Sequence, residues 1–412
     1  MDTTGWLSLP GGSTPGCLGC RSSRVLPLIA FSDVPVQSTM VLRSADEAGG
    51  FPRAEMALAY CEDCGLISNT AFNPDLVHYG KGFEESQFAS PTFRAFAETL
   101  ADRLVTACGE GPRRVVELGC GKGEFLELLC RREGVTGVGI DPACDADRLD
   151  PAVRDRIEVV EAFYDDAHRE IIHAADLVCC RHTLEHLADP LAFFRRLRDH
   201  LADRPGTLVY VDAPDTDHVI DQGAFWEMNY EHCGYYTPAS LAGLLRRAGF
   251  GLQRVEVGFS GQNLGAWATT GPDAPDEPPA AREPARNRAR LFADNARRAV
   301  HAWHDALHHH ADTVLWGSGS RAVGFMGAAS LTERHVAGVV DINPRRQGLY
   351  MPGYQRPIIP PDELARLDPG RVVVMNPIYA REIAAALADL GLHTEVLTID
   401  HPPAADRRIR TA

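Results

Sequence analysis

Short apolar runs alternate with glycine-rich or polar turns along most of this chain, and the turns mark where strands stop. Val115–Val116–Glu117–Leu118 leads into Gly119–Cys120–Gly121–Lys122–Gly123, after which Glu124–Phe125–Leu126 opens a helical pattern. β-branched residues, a glycine turn and then a 3.6-residue period predict strand, tight turn and helix. Gly137–Val138–Gly139–Ile140–Asp141 reads as the next strand and ends on a carboxylate. The run from Asp176 to Leu187 is a third apolar strand passing into a polar edge and a helix, and Gly206 to Pro214 is a fourth. A second series starts at Thr313–Val314–Leu315–Trp316–Gly317–Ser318–Gly319–Ser320, again strand into glycine turn. It continues with strands at Val339–Val340–Asp341–Ile342 and Val372–Val373–Val374. Alternation of this kind predicts an α/β fold with two such units.

The rest of the pattern places the boundaries. Val25 to Pro35 and Phe51 to Tyr60 read as short strands of a small N-terminal module over residues 1–80. An aromatic loop around His78–Tyr79–Gly80 and a helix from Thr92 to Ala107 connect it, over 81–110, to the first α/β unit at 111–270. Residues 271–285, dense in proline and charge, predict a linker. The second α/β unit, 286–412, opens with a helix from Arg286 to His310 and ends in a frayed tail from 402. That helix carries His301, His304, His308, His309 and His310, which read either as an exposed helix end or as metal ligands sharing a face.

Composition narrows the function classes. Net charge is −15 with only two lysines, Lys81 and Lys122, and no basic run tracks a phosphate backbone, so nucleic acid is not an expected partner. No stretch approaches the roughly 20 apolar residues of a membrane span, and no secretory leader is visible, so the expected compartment is the cytoplasm. Eleven cysteines are many for such a chain. Cys17–Leu18–Gly19–Cys20 and Cys61–Glu62–Asp63–Cys64 form two CxxC pairs, the set a closed, structural tetrahedral zinc site requires. Two disulfides are the alternative, in conflict with the missing leader. The other cysteines show no ligand spacing and read as small core residues.

Gly119, Gly121 and Gly123 suit backbone with positive φ and let a ligand approach, while the helix that follows offers free N–H groups. Asp141 is suited to ribose hydroxyls. A glycine turn alone serves helix packing as well as nucleotide binding. In order, however, ELGCGKG, GIDP, DLVCCRHTLEHL and GTLVYVDAP resemble the class I methyltransferases that use S-adenosylmethionine, whose sheet is Rossmann-like. The resemblance implies donor contacts at Glu117, Gly119, Gly121, Gly123, Asp141, Pro142 and Arg181. His182, one helical turn before His186, edges the same pocket.

Taken with the CxxC…CxxCGL module, the tyrosine loop and Asn229–Tyr230–Glu231–His232–Cys233–Gly234–Tyr235–Tyr236–Thr237, the chain resembles the sugar C-methyltransferase family over almost its whole length. Those enzymes methylate a ring carbon of nucleotide-linked keto-deoxysugars. A carbon beside a ketone becomes nucleophilic only on losing a proton, which calls for a base with pKa near neutrality and for donors at the keto oxygen. The resemblance implies His232 as base or base partner, Glu231 as its neighbour, and His186 with Tyr79 around the sugar. It also implies that Asn343, Arg345, Arg346 and Gln347, in NPRRQGLYMPG, hold the nucleotide. Two departures stand out: Glu185 precedes His186 where the sugar enzymes more often have a small residue, and Phe259 to Gly265 lacks a doubled glycine. Three other functions fit parts of the chain: O- or N-methyl transfer to another small molecule, an NAD-dependent dehydrogenase built on the second α/β unit, and a non-enzymatic zinc-bearing binding module.

Overall fold

Three sheets organise the chain in the computed structural model, which describes residues 16–80, 82–272, 285–308 and 312–402, with 285 and 286 by backbone alone. Lys81, most of the expected linker (273–284), His309, His310 and the tail from 403 lie outside the described residues. The N-terminal sheet is antiparallel and begins with β1 (Val25–Pro35), β2 (Arg53–Cys61) and β3 (Ile67–Asn69).

The central sheet contains β4 (Arg113–Leu118), β5 (Val135–Ile140), β6 (Ile157–Val160), β7 (Leu177–Arg181) and β8 (Leu208–Pro214). The chain then leaves this sheet for β9 (Gly234–Tyr235), which pairs antiparallel with β3 and completes the N-terminal sheet. It returns for β10 (Gly251–Gly258) and β11 (Asn263–Thr269), giving the order β10-β11-β8-β7-β4-β5-β6 with an antiparallel end at β11 and β10. Inner strands such as β7 are buried at every residue, which is why they read as unbroken apolar runs. The C-terminal sheet is wholly parallel: β12 (Thr313–Trp316), β13 (Gly338–Val340), β14 (Ile358–Ile359), β15 (Arg371–Val374) and β16 (Glu395–Thr398), in the order β14-β13-β12-β15-β16. In both parallel arrays the first strand is central and the winding reverses beside it. Ligand crevices form outside the carboxyl ends of strands at such switch points.

Helices tie the sheets together. Ser90 caps the helix Pro91–Ala107 by accepting from the Phe93 N–H, and Pro91 occupies the first turn, where no N–H is needed. Phe93, Ala97, Leu100 and Leu104 then follow a three-to-four spacing and bury one face on the central unit. Ala289, Phe292, Ala296, Val300 and Trp303 do the same for the helix Ala285–His308, and the Trp303 indole N–H donates to the Ile399 carbonyl at 2.8 Å. One apolar cluster joins Ile29 and Met56 of the N-terminal sheet, Trp226 before β9, and Phe325 and Met351 of the C-terminal unit. These units therefore share a core although they lie far apart in sequence. No helix among the described residues is long and apolar enough to cross a membrane.

Candidate active site

The expected glycine turn lies at the end of β4, where Gly119, Gly121 and Gly123 adopt φ of 70°, 52° and 82°. A Cβ on Gly119 would sit 2.0 Å from Thr183 Oγ1, and one on Gly121 would sit 2.1 Å from Glu85 Oε1, so both positions require glycine twice over. Gly123 is the left-handed cap of the following helix and packs on Leu149 rather than on the cavity. Asp141, at the end of β5, accepts from the N–H of Gly121 (2.9 Å) and of Ala143 (2.6 Å), which fixes its carboxylate beside the turn. Glu117 is 2% exposed with Oε2 unpaired, and burial pushes its carboxyl up to about 8. An unpaired buried carboxyl and a cradle that any Cβ would fill fit a polar cofactor such as S-adenosylmethionine.

Arg181 is pinned by Asp212 at 2.9 Å and lies 3.9 Å from the centroid of the Phe125 ring. His182 does not lie on a helix. It occupies a bend with φ of 44°, its N–H bonded to Asp212 Oδ1, and only Leu184–His186 forms a short 3₁₀ turn. Pro142, Arg181 and His182 line, with the turn, a cavity of about 570 Å³.

Tyr79, His186, Glu231 and His232 line the same cavity. The Tyr79 hydroxyl lies 2.9 Å from His186 Nδ1, and the His186 and His232 rings meet edge to face at 4.9 Å. Burial, joined by the charge of His186, lowers His232 to about 3, so its imidazole is neutral rather than poised near neutrality as expected from sequence. Burial also keeps Tyr79 a phenol, with Glu231 adding to the effect. Glu231 is anchored by the Ser38 N–H (2.9 Å) and hydroxyl, and burial raises its carboxyl.

Sequence reasoning noted Glu185 only as a departure, yet it is central. A carboxylate oxygen of Glu185 and ring nitrogens of His186 and His232 all lie within 4.8 Å of one another. Burial opposes its ionisation, but the His182 hydrogen bond and the His186 and His182 charges outweigh burial and hold it at about 2. Its carbonyl also accepts the Cys233 N–H at 2.6 Å. Glu85, over Gly121, was missed altogether, since nothing local to the loop signals its contact.

The Tyr230–Cys233 segment is held by the N-terminal module. The Asn69 N–H donates to the Cys233 carbonyl (3.0 Å), and Asn69 Nδ2 donates to the Tyr230 carbonyl (2.9 Å). That module in turn is gathered around Cys17, Cys20, Cys61 and Cys64, whose sulfurs all lie within 4.8 Å of one another. Cys17–Cys64 and Cys20–Cys61 separations of 3.4 and 3.5 Å are close to the roughly 3.8 Å edge of a tetrahedron with Zn–S of about 2.3 Å. All four are free thiols rather than disulfides, so this donor set fits zinc.

The four expected nucleotide contacts divide. Asn343 and Arg346 line the cavity, whereas Arg345 is exposed and Gln347 donates to the Asp341 carbonyl, both away from it. The Arg346 guanidinium is already engaged by Ser318 Oγ (2.6 Å), the Ser318 carbonyl (2.7 Å) and the carbonyls of Glu84 and Thr39.

Residues 91–255 match the family described as a methyltransferase domain, and residues 288–395 match the C-methyltransferase C-terminal domain. Trans-aconitate 2-methyltransferase of Rhizobium leguminosarum bv. trifolii is 36% identical over 141 residues, 33% of this chain. The enzyme of that name from Rhizobium etli is 37% identical over 107 residues, 25% of this chain and 39% of that protein. The match spans about half the length of the first relative, 52%. Among solved structures, N,N-8-amino-8-demethyl-D-riboflavin dimethyltransferase of Streptomyces davawensis is 22% identical, covering 43% of this chain and 56% of that one at a TM-score of 0.34. The chain therefore carries a methyltransferase domain followed by a C-methyltransferase C-terminal domain, consistent with the S-adenosylmethionine-dependent C-methyltransferase family.

Proposed function

We propose that the protein transfers a methyl group from S-adenosylmethionine to a ring carbon of a nucleotide-linked keto-deoxysugar, through an enolate, with structural zinc in the Cys17–Cys20–Cys61–Cys64 site. One observation carries the reading: the donor turn and the Tyr79–His186–Glu231–His232 group face one cavity of about 570 Å³. When bound, S-adenosylmethionine supplies an electrophilic methyl. The Gly119–Gly121 backbone, Glu117 and Asp141 would hold it, the Asp141 carboxylate being suited to hydroxyl groups.

His232, neutral in its buried position, takes the proton from the carbon beside the ketone, and because burial leaves its imidazole weakly basic the step leans on stabilisation of the enolate oxygen. Ionised Glu185 offsets the positive charge that the imidazole then acquires. The Tyr79 hydroxyl pairs with His186 Nδ1 and orients the ring, which leaves His186 Nε2 as the donor toward the developing enolate oxygen. Ser38 fixes Glu231 and thereby the backbone on which His232 stands.

The test is incubation with S-adenosylmethionine and a panel of nucleotide-linked 4-keto-deoxysugars, with products read by mass spectrometry and proton NMR. A product one methyl heavier, with the new signal on carbon, is expected. A methyl on oxygen or nitrogen would replace the carbon reading with another acceptor. His232→Gln should lower kcat by roughly 10²- to 10⁴-fold while S-adenosylhomocysteine affinity stays unchanged. Near-normal turnover in that variant would remove His232 from the mechanism.

A further inference from the structure

Glu185 brings an unmatched oxygen to the wall of the cavity. Its side chain is 4% exposed, yet Oε2 has no hydrogen-bond partner among the described residues, while Oε1 meets His182 Nδ1 at 3.5 Å. A buried carboxylate oxygen left unpaired is costly, so a cation or a donor is its natural complement.

Two further ligand atoms stand beside it. A carboxylate oxygen of Glu185, a ring nitrogen of His186 and a ring nitrogen of His232 all lie within 4.8 Å of one another, and all three residues line the cavity. The backbone holds the group together: the Cys233 N–H donates to the Glu185 carbonyl at 2.6 Å, which ties the short turn of Glu185 and His186 to the segment of His232. The Tyr79 hydroxyl occupies His186 Nδ1 at 2.9 Å and leaves Nε2 for other partners. An oxygen beside the second ring nitrogen is the usual outer support of a metal-bound imidazole. Two imidazoles and a carboxylate, with positions left open, are a donor set that zinc takes at catalytic sites and that other first-row divalent ions accept. A cation about 2.1 Å from each ligand atom would space those atoms roughly 3.4 Å apart, so small turns of the two histidines about their side-chain bonds close the gap.

We propose that Glu185, His186 and His232 form a binding site for a first-row divalent cation such as Zn²⁺, and that the bound ion competes with the acceptor. The competition rests on the reading of His232 as the base. The ion takes the lone pair that would accept the proton, and it takes His186 Nε2 away from the enolate oxygen. This site is separate from the four cysteines of the N-terminal module, whose thiols would leave an ion no open position.

Calorimetric titration of the full chain with Zn²⁺ tests the site without any acceptor. Zn²⁺ is the suitable probe because its exchange at the four cysteines changes nothing there. Mg²⁺, which prefers oxygen ligands, should not compete with it. Glu185→Gln and His232→Gln should each weaken Zn²⁺ binding by about 100-fold or more, and Tyr79→Phe by the roughly 10- to 100-fold that an outer partner is worth. S-adenosylhomocysteine affinity should hold in all three variants, which reports that they fold. Zn²⁺ held on surface histidines, such as the stacked His304, His308 and His335, would persist in the variants and is thereby told apart. Equal Zn²⁺ affinity in wild type, Glu185→Gln and His232→Gln, or no binding beyond that surface background, overturns the site. In turnover assays Zn²⁺ should raise the acceptor KM and leave kcat at saturating acceptor unchanged. Undiminished methyl transfer with the site filled overturns the competition and, with it, His232 as the base, while the site stands. A protein that binds Zn²⁺ here but methylates no nucleotide sugar keeps the site and overturns only the acceptor.

Discussion

The two parallel units solve the same local problem in opposite ways. In each, a strand runs into a glycine turn and the next strand ends on an aspartate that returns to that turn: Asp141 accepts from the Gly121 N–H, and Asp341 accepts from the Ser318 N–H, both at 2.9 Å. In the central unit all three glycines have positive φ, and Gly119 and Gly121 line the cavity. In the C-terminal unit only Gly317 does, and the Ser318 hydroxyl bonds both Asp341 and Arg346 at 2.6 Å. Ser318, beside the one glycine of positive φ, is thus taken up by Asp341 and Arg346, while Gly317, Gly319 and Ser320 line the cavity. A Rossmann-like sheet is a frame, and side chains at its mouth decide whether it takes a cofactor. This argues against the dehydrogenase alternative more directly than sheet topology does.

The sharpest way to break the comparison is to add one methyl group to each turn. Gly121→Ala combines a strained φ with a Cβ 2.1 Å from Glu85, and should lower S-adenosylhomocysteine affinity about 100-fold by calorimetry. Gly319→Ala has negative φ and nothing within 4 Å, and should leave that affinity unchanged. Equal losses would mean that the two turns are not functionally distinct. Next in size, Arg346→Met should destabilise the chain by about 2–4 kcal/mol in denaturant unfolding, because it strands the Ser318, Glu84 and Thr39 carbonyls. An effect under about 0.5 kcal/mol would show that the guanidinium does not brace the second turn.

A third expected effect is a change of slope with pH. Glu117 has a folded-state value of about 8 against an ordinary 4.5, so the native state holds the extra proton. Its contribution to stability is present in full below about 4.5 and is lost as pH rises through about 8. Thermal melts of the unliganded protein should therefore lose Tm across that interval, and Glu117→Gln should flatten the loss. An identical slope in the variant would mean that Glu117 is not protonated in its unpaired pocket.

What the sequence revealed follows from how locally each feature is determined. The turn at Gly119–Gly123 was legible because positive φ selects glycine at each position regardless of the rest of the fold. The clustering of Cys17, Cys20, Cys61 and Cys64 was legible because two CxxC pairs are the spacing that brings four thiols to one point. Glu85 over Gly121, Ser38 under Glu231 and the saturation of Arg346 were not, since each joins residues that only the assembled sheets bring together. His232 shows a subtler gap: its place in the site was legible in the motif, but its depressed basicity depends on burial and on His186. Arg345 and Gln347 were named for their chemistry, yet the backbone turn after β13 sends them elsewhere.

The pairing of Ile67 with Tyr235 has a consequence for synthesis as well as for catalysis. On the ribosome, β1, β2 and β3 emerge early, together with the four cysteines that gather beside them. The outer edge of β3 then stays uncovered until the whole first half of the central sheet has been made. An open strand edge invites pairing with other chains, and contacts between distant residues form slowly. The segment that carries His232 is thus also the piece that closes this edge, so a nascent chain stalled before Gly234 is both inactive and prone to self-association.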